Sequence, residues 1–414
     1  MNGKTRQPAP DGRHHDIVIA GSGLTGSILA AALTKDVRPR LRVALCGRAG
    51  ADRDDPRAYA IAPGVRLMLE VLGIWEKVAA DAAPVMEMRI TDSRLEDVVR
   101  PLFLSLGEGA NGDAPLAHIV PAAALAAATD SILEGCAAER IDPGVFTGVE
   151  TDGGSARLVG SKASIDGGLI VGADGARSVV REAAGIRTVG WDYGQSGVVA
   201  TLQAEIPHEN RAVQHFLPDG PFALLPLPQN RYSLVCSMPA KKADALAALG
   251  RKMLKEELEM RAGAEIGPLT PLTPAVAFPL GLHLARSFVA PRIALAGDAA
   301  HRMHPLAGQG QNMGLRDVAA LAQVVLEAAR LGQDPGGLDV LERYQRWRRF
   351  DTVQFAVVTD GLNRLFSNDI GLVRALRDTG LGLFDRFSGL KRRVARDAAG
   401  LSGDVPRLLL GLPA

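Results

Sequence analysis

Three places in the chain combine glycines with acidic or amide side chains at spacings suited to a large polar ligand held by main chain. The first is Gly21, Gly23 and Gly26 in GSGLTG. It follows the apolar run Asp16 to Ala20 and opens an Ala/Leu-rich stretch to about Leu33, the strand, turn and helix in which GxGxxG binds a dinucleotide. Gly21 then makes the tight turn, Gly23 lets a pyrophosphate approach the backbone, and Gly26 lets helix and strand pack, with the phosphate charges at the positive helix end. The second place is GADGARS, from Gly172 to Ser178, at the end of another apolar run. Asp174 beside a pyrophosphate needs hydroxyl or amide donors, and Arg177 and Arg181 can balance its charge; an Asx turn capping the next helix is a compatible reading. The third is RIALAGDAAHRMHPLAGQGQNMGLRD, from Arg292 to Asp317. It reads as a buried strand broken at Gly297-Asp298, a loop with Gly308, Gly310 and Gly314, and a helix from Leu315 to about Leu331. Without Cβ atoms in the way, backbone N–H groups there can come close to a ligand.

Three glycine-marked strand ends fit one bound dinucleotide better than three separate ligands. A single site drawn from the whole chain implies a large, tightly held cofactor such as FAD, with no second fold for a nicotinamide nucleotide. Arg57, in DPRAYAIA, can bridge to a phosphate or to the edge of a flavin ring, or it can flank a helix at the surface. The strand Leu41 to Cys46 passes into Gly47-Arg48, where such folds usually carry an acid for the ribose. That leaves Asp52, Asp54 or Asp55 as substitutes.

The elements that must position these residues read as an α/β fold. A Rossmann-like FAD-binding domain is expected over 16–84, 105–186 and 280–360, discontinuous in sequence. An antiparallel-sheet substrate domain is inserted over 85–104 and 187–279, because GVVATLQAEI, RAVQHFL, PFALLPL and RYSLVCSM are strand-like runs without a βαβ rhythm. Val145 to Ile165 reads as a three-run meander, followed by a separate strand at Gly168 to Gly172. A charged helix is expected from about Lys242 to Arg261, and another from Leu338 to about Phe366. Residues 1–15 read as a disordered arm and 361–414 as a C-terminal helical tail.

The 414 residues carry 47 Lys and Arg against 46 Asp and Glu, a net charge of +1 that argues against bulk electrostatic binding of nucleic acid. Cys46, Cys136 and Cys236 are far apart, which suits a reducing compartment and offers no metal site. No apolar leader and no run of spanning length is visible, so a cytoplasmic protein is expected. From Gly361 onward the amphipathic tail has nine Lys or Arg against five Asp or Glu. Such a face can lie on an anionic membrane or pack on its own domain, so peripheral contact with the inner membrane is a further expectation.

GADGARSVVR (172–181) and GDAAHRMHPLAGQGQNMGLRD (297–317), with the endings TDGLNRLFSND and GLKRRVARDAAGLSGDVPRLLLG, resemble the class A flavin-dependent aromatic hydroxylases of the para-hydroxybenzoate hydroxylase fold. Within that group the chain is similar to the ubiquinone-biosynthesis hydroxylases, the coenzyme Q monooxygenase family, from about Asp16 to its end. The resemblance implies that Gly21, Gly23 and Gly26 hold the FAD pyrophosphate and that Arg57 contacts the cofactor. It links Asp174 and Gly175 to both FAD and NAD(P)H, and gives Asp298 hydrogen bonds to the ribityl or pyrophosphate region. Gly308, Gln309, Gly310 and Asn312 would offer backbone to the pyrimidine end of the ring, with His304 and Pro305 as the catalytic positions of that loop. The implied reaction is hydroxylation of the ring of a polyprenyl phenol through a flavin C4a-hydroperoxide, using O2 and NAD(P)H or another electron donor. A ubiquinone-biosynthesis protein complex is an implied partner. His301, His304 and Tyr232 all remain open as the group that helps ionise the phenol. A prenyl-lipid reductase or dehydrogenase, or a non-catalytic lipid-binding subunit, would share the same cofactor site.

Overall fold

A computed structural model describes residues 14–48, 50, 55–92, 102–107, 114–303, 310–366 and 403–414. Ile17, Val18, Ile19 and Ala20 are fully buried, as an apolar run must be in a parallel sheet covered on both faces. Their strand, His14–Ala20, lies inside an eight-stranded sheet, here the nucleotide sheet. Its parallel core runs Ile293–Leu295, Ser164–Gly172, His14–Ala20, Val43–Cys46, Glu139–Ile141. Helices Leu24–Thr34, Ala122–Leu133 and Gly310–Arg330 share its hydrophobic core.

Several boundaries differ from the sequence-based expectation. The first strand starts at His14, and His15 is buried with its Nε2 3.0 Å from Glu139, so these two residues belong to the sheet and not to an arm. The last run of the meander and the strand before Gly172 are one strand, Ser164–Gly172. Gly167 and Gly168 do not turn the chain; a side chain at Gly167 would strike Val18 on the neighbouring strand, so glycine serves close approach there. The long helix after the third glycine-rich stretch begins at Gly310, not Leu315. The expected 242–261 helix is two, Ala240–Ala247 and Arg251–Ala262, with Gly250 in extended backbone capping the second.

A nine-stranded sheet forms a roof. Its main path is His301–Arg302, Val276–Ala285, Thr188–Ala204, Arg231–Pro239, Gly220–Leu227, Arg211–Leu217, Glu87–Asp92, Leu102–Leu106. Its upper face packs on the helices Ala240–Ala247 and Arg251–Ala262 through Phe222, Leu224, Tyr232, Leu234 and Cys236. Its lower face meets a small sheet of Ala58–Ile61, Ala83–Val85 and Ala117–Pro121. The stretch 292–302 supplies one strand to the nucleotide sheet and the next to the roof, so it joins the two layers.

The helix Leu338–Phe366 has the expected bounds. At the C-terminus, Leu408 and Leu409 join the main core and Trp347 donates to the carbonyl of Asp404 at 2.6 Å. The rest of the expected helical tail, 367–402, lies outside the described residues.

Candidate cofactor and substrate site

Register brings the glycine-marked turns together. Ala20 pairs with both Gly172 and Cys46, and Gly172 pairs with Leu295, so four strands end side by side. Backbone bonds continue the alignment into the turns: Gly21 donates to Cys46, Ala173 to Ala20 and Ala296 to Gly172, at 2.8 to 2.9 Å. At normal strand spacing the four turns span about 14 Å. The turn at Gly297 touches the first one directly, since a side chain there would collide with Thr25, and its φ of +62° also favours glycine.

The charges along this edge suit a phosphate-bearing ligand with hydroxyls. Gly23 caps the helix Leu24–Thr34 without a side-chain bond, and its first turn holds no acid, so the positive helix end faces the turn. Asp174 accepts from Val180 N through Oδ2 at 3.2 Å, while its buried Oδ1 has no hydrogen-bond partner among the described residues. Burial raises this carboxyl above its usual range. Asp298 is open to solvent on one side and walled by protein on the others. That burial raises its carboxyl too, against the nearby charges of His301, Arg57 and Arg302. An orphaned buried acceptor, a solvent-facing carboxylate and a positive helix end along one edge suit the hydroxyls and phosphates of FAD.

Arg57 lies opposite. It grips Asp55 with Nε and Nη2 at 2.6 to 2.9 Å, and its guanidinium lies 5.6 Å from the Tyr59 ring and 5.5 Å from the Phe278 ring in the roof. Burial works against the Asp55 charge, but bonding to Arg57 outweighs it and lowers the carboxyl. Asp55 is thus committed to Arg57 and is no substitute for the ribose acid; Asp52 and Asp54 lie outside the described residues. Gly47 has its own reason for lacking a side chain, because a Cβ there would press on Ser22 of the first turn.

Behind Asp298 sits a buried ionic cluster. Asp317 is fully buried and accepts from Gly297 N at 3.0 Å and from Arg348 Nε at 2.9 Å, with His301 Nε2 at 2.6 Å. Burial alone would raise its carboxyl; His301 and Arg348 together lower it. The cluster anchors the Gly297-Asp298 turn from below. Asn312 is buried as well, accepting from Ala62 N at 3.0 Å and donating to Ala60 O at 2.7 Å, so its side chain braces the long helix against the small sheet.

Of the residues singled out from sequence, Gly21, Gly23, Gly26, Arg57, Asp174, Gly175, Asp298, Gly310 and Asn312 are described; His304, Pro305, Gly308 and Gln309 are not. Tyr232 belongs to the roof's upper face, packed beneath helices, and cannot assist a phenol on the lower face. Arg181 donates to the carbonyls of Ala176 and Ala299 rather than balancing Asp174. Sequence reasoning missed Arg348 and the bracing roles of Asp317 and Asn312. Their signal is a polar residue on the buried stripe of an amphipathic helix, which marks burial but not a partner.

The chain matches the family model described as FAD binding domain over residues 14–356. It is 40% identical to ubiquinone hydroxylase UbiL of Rhodospirillum rubrum, over 96% of this chain and 93% of that one. It is 31% identical to the mitochondrial ubiquinone biosynthesis monooxygenase COQ6 of Mus musculus, over 92% and 90%. In fold it is similar to p-nitrophenol 4-monooxygenase PnpA from Pseudomonas putida, with a TM-score of 0.75 at 17% identity over 94% of this chain and 99% of that one.

Proposed function

Since the chain belongs to the FAD-binding-domain family and, within it, to the ubiquinone-biosynthesis hydroxylases, we propose that it inserts one oxygen atom into the ring of a polyprenyl phenol on the route to ubiquinone. It is an FAD-dependent monooxygenase that uses NAD(P)H and O2. The observation that carries the reading is the row of strand ends at Ala20, Gly172 and Leu295, joined to the roof through the stretch 292–302.

FAD supplies the electron transfer and oxygen activation when bound; the protein supplies position, charge and dryness. In this reading Gly21, Gly23 and Gly26 bring backbone N–H groups to the pyrophosphate, and Asp174 and Asp298 accept from hydroxyls. Arg57 holds the edge of the site between Tyr59 and the roof. The N-terminus of helix Gly310–Arg330, free of acids in its first turn, favours negative charge near the pyrimidine end of the ring. His304, Pro305, Gly308 and Gln309 are assigned to that end by resemblance. His301 keeps Nε2 against the buried Asp317, so it is a positioning residue in this scheme and not a free base. The roof excludes water from the reacting ring. The domain division follows the same lines, with the roof as the substrate side, although its strands Leu102–Leu106, Val276–Ala285 and His301–Arg302 run past the bounds 85–104 and 187–279.

We also assign a peripheral seat on the cytoplasmic face of the inner membrane, within a biosynthetic complex. What supports it is an exposed apolar stripe on helix Leu338–Phe366, with Phe350 73% and Val357 67% accessible, and a basic stretch that follows it in sequence. Among the described residues no helix is long and apolar enough to cross a membrane. Sedimentation with anionic vesicles, reduced by Phe350→Ser with Val357→Ser, is the expected result; an unchanged free fraction would oppose it.

The reaction is tested by giving purified protein 2-prenylphenol, NAD(P)H and oxygen-18 gas. Stimulated NAD(P)H oxidation with one labelled oxygen in the product is expected. Turnover without label would indicate a reductase, and no stimulation would indicate a non-catalytic subunit.

A further inference from the structure

The lower face of the roof carries polar groups without a hydrogen-bond partner among the described residues. Phe278, whose ring meets Arg57, pairs with Gly197, and Gly197 pairs with Ser237, so the three share that face. The next row runs from Val235 through Ala223 to Gln214. One row further, Ala212 and Leu225 close against the small sheet, which confirms the orientation of the face.

Gln214 is 6% accessible and Ser237 3%. Neither side chain makes a hydrogen bond among the described residues, and neither is among the buried polar atoms sealed from solvent. Buried polar groups are ordinarily paired. Both residues lie on the face of the roof that meets Arg57 and the small sheet, with the small side chain of Ala223 beside Gln214. In the printed pairings of these two rows, from Val276–Ala285 to Arg211–Leu217, no side chain is ionisable.

We propose that Gln214 and Ser237 are the contacts for uncharged oxygen substituents on the substrate ring, and that this face refuses a ring carboxylate. The inference rests on the hydroxylase reading and specifies its substrate. An amide and a hydroxyl can each donate to a phenol, an ether or a quinone carbonyl, and each can accept from a phenol. A carboxylate in the same place would lose its water, and the cation that meets this face, Arg57 against Phe278, is already held by Asp55. Discrimination of this kind, built on paired and unpaired polar groups, is worth orders of magnitude in binding.

The test titrates 2-prenylphenol and its ring carboxylate, 4-hydroxy-3-prenylbenzoate, into the oxidised FAD-loaded full chain, following the flavin difference spectrum. The neutral ring is expected to bind at least ~100-fold more tightly. Gln214→Leu should weaken the neutral ring roughly 10-fold, Ser237→Ala should weaken it less, and Gln214→Arg should narrow or reverse the preference. If Gln214→Arg loses its flavin, the other two variants decide. Equal binding of the two rings by the wild type, or an unchanged Kd in Gln214→Leu, overturns the assignment. Tight, selective binding of the neutral ring without oxygen-18 in any product would instead count against the hydroxylase reading and leave the assignment standing.

Discussion

At the scale of single residues, the side chains that sequence alone brought forward are those on the cleft edge, and those it missed stand one layer behind. Asp298 is read from its Gly-Asp break, but Asp317 looks in sequence like the polar end of a helix motif. Only the fold brings Arg348, 31 positions away, against it. Removing one partner of a buried ion pair costs about 3–5 kcal/mol. Asp317→Ala is therefore expected to lose that much in urea unfolding; a loss below ~1 kcal/mol would mean that the cluster is not an anchor. His118 offers a pH-dependent counterpart. Burial, aided by the charge of Arg66, lowers its pKa from 6.5 to about 4 in the folded protein. As pH falls through 6.5 the unfolded chain takes up a proton that the folded chain refuses, so stability drops until about pH 4 and then levels. His118→Gln should flatten this part of the profile in melts at pH 7, 5.5 and 4.5; an identical slope in wild type and variant would exclude His118 as the cause.

At the scale of elements, apolar periodicity carries far and glycine is the ambiguous sign. Leu338–Phe366 follows the sequence pattern because its buried face recurs along the helix, through Leu341, Tyr344, Arg348, Thr352, Ala356 and Thr359. Gly167 and Gly168 lie inside one strand, where neighbouring strands need room, and glycine marks that need and a break between strands alike. Gly250 does break its helix. Gly310 is the opposite case, since it opens a helix that the glycine pattern seemed to delay until Leu315. Asn312 ties that helix to the small sheet through two backbone groups. Asn312→Leu would strand Ala62 N–H and Ala60 C=O, each costing on the order of 1–3 kcal/mol. We expect a lower urea midpoint and weaker FAD binding together; lower stability with unaltered FAD affinity would confine the brace to folding.

At the scale of the whole molecule, the chain returns to one edge from three distant parts of its length. The strand ends at 20, 172 and 295 become neighbours only because the nucleotide sheet orders its strands differently from the sequence. Glycine spacing pointed to a shared ligand, and the register supplies the reason that one ligand can reach all three turns. The roof was legible as a run of antiparallel strands, but which face looks down could not be read without their pairing, and so Tyr232 was weighed beside groups from which a sheet separates it. The most direct test of the account is an equilibrium titration of FAD into the apoprotein and into Gly23→Asp, Asp174→Leu and Asp298→Ala, one variant for each turn. One FAD per wild-type chain is expected, with at least ~10-fold weaker binding in every variant. A folded wild-type protein that takes no FAD, or a variant in any one turn that binds as the wild type does, would contradict it.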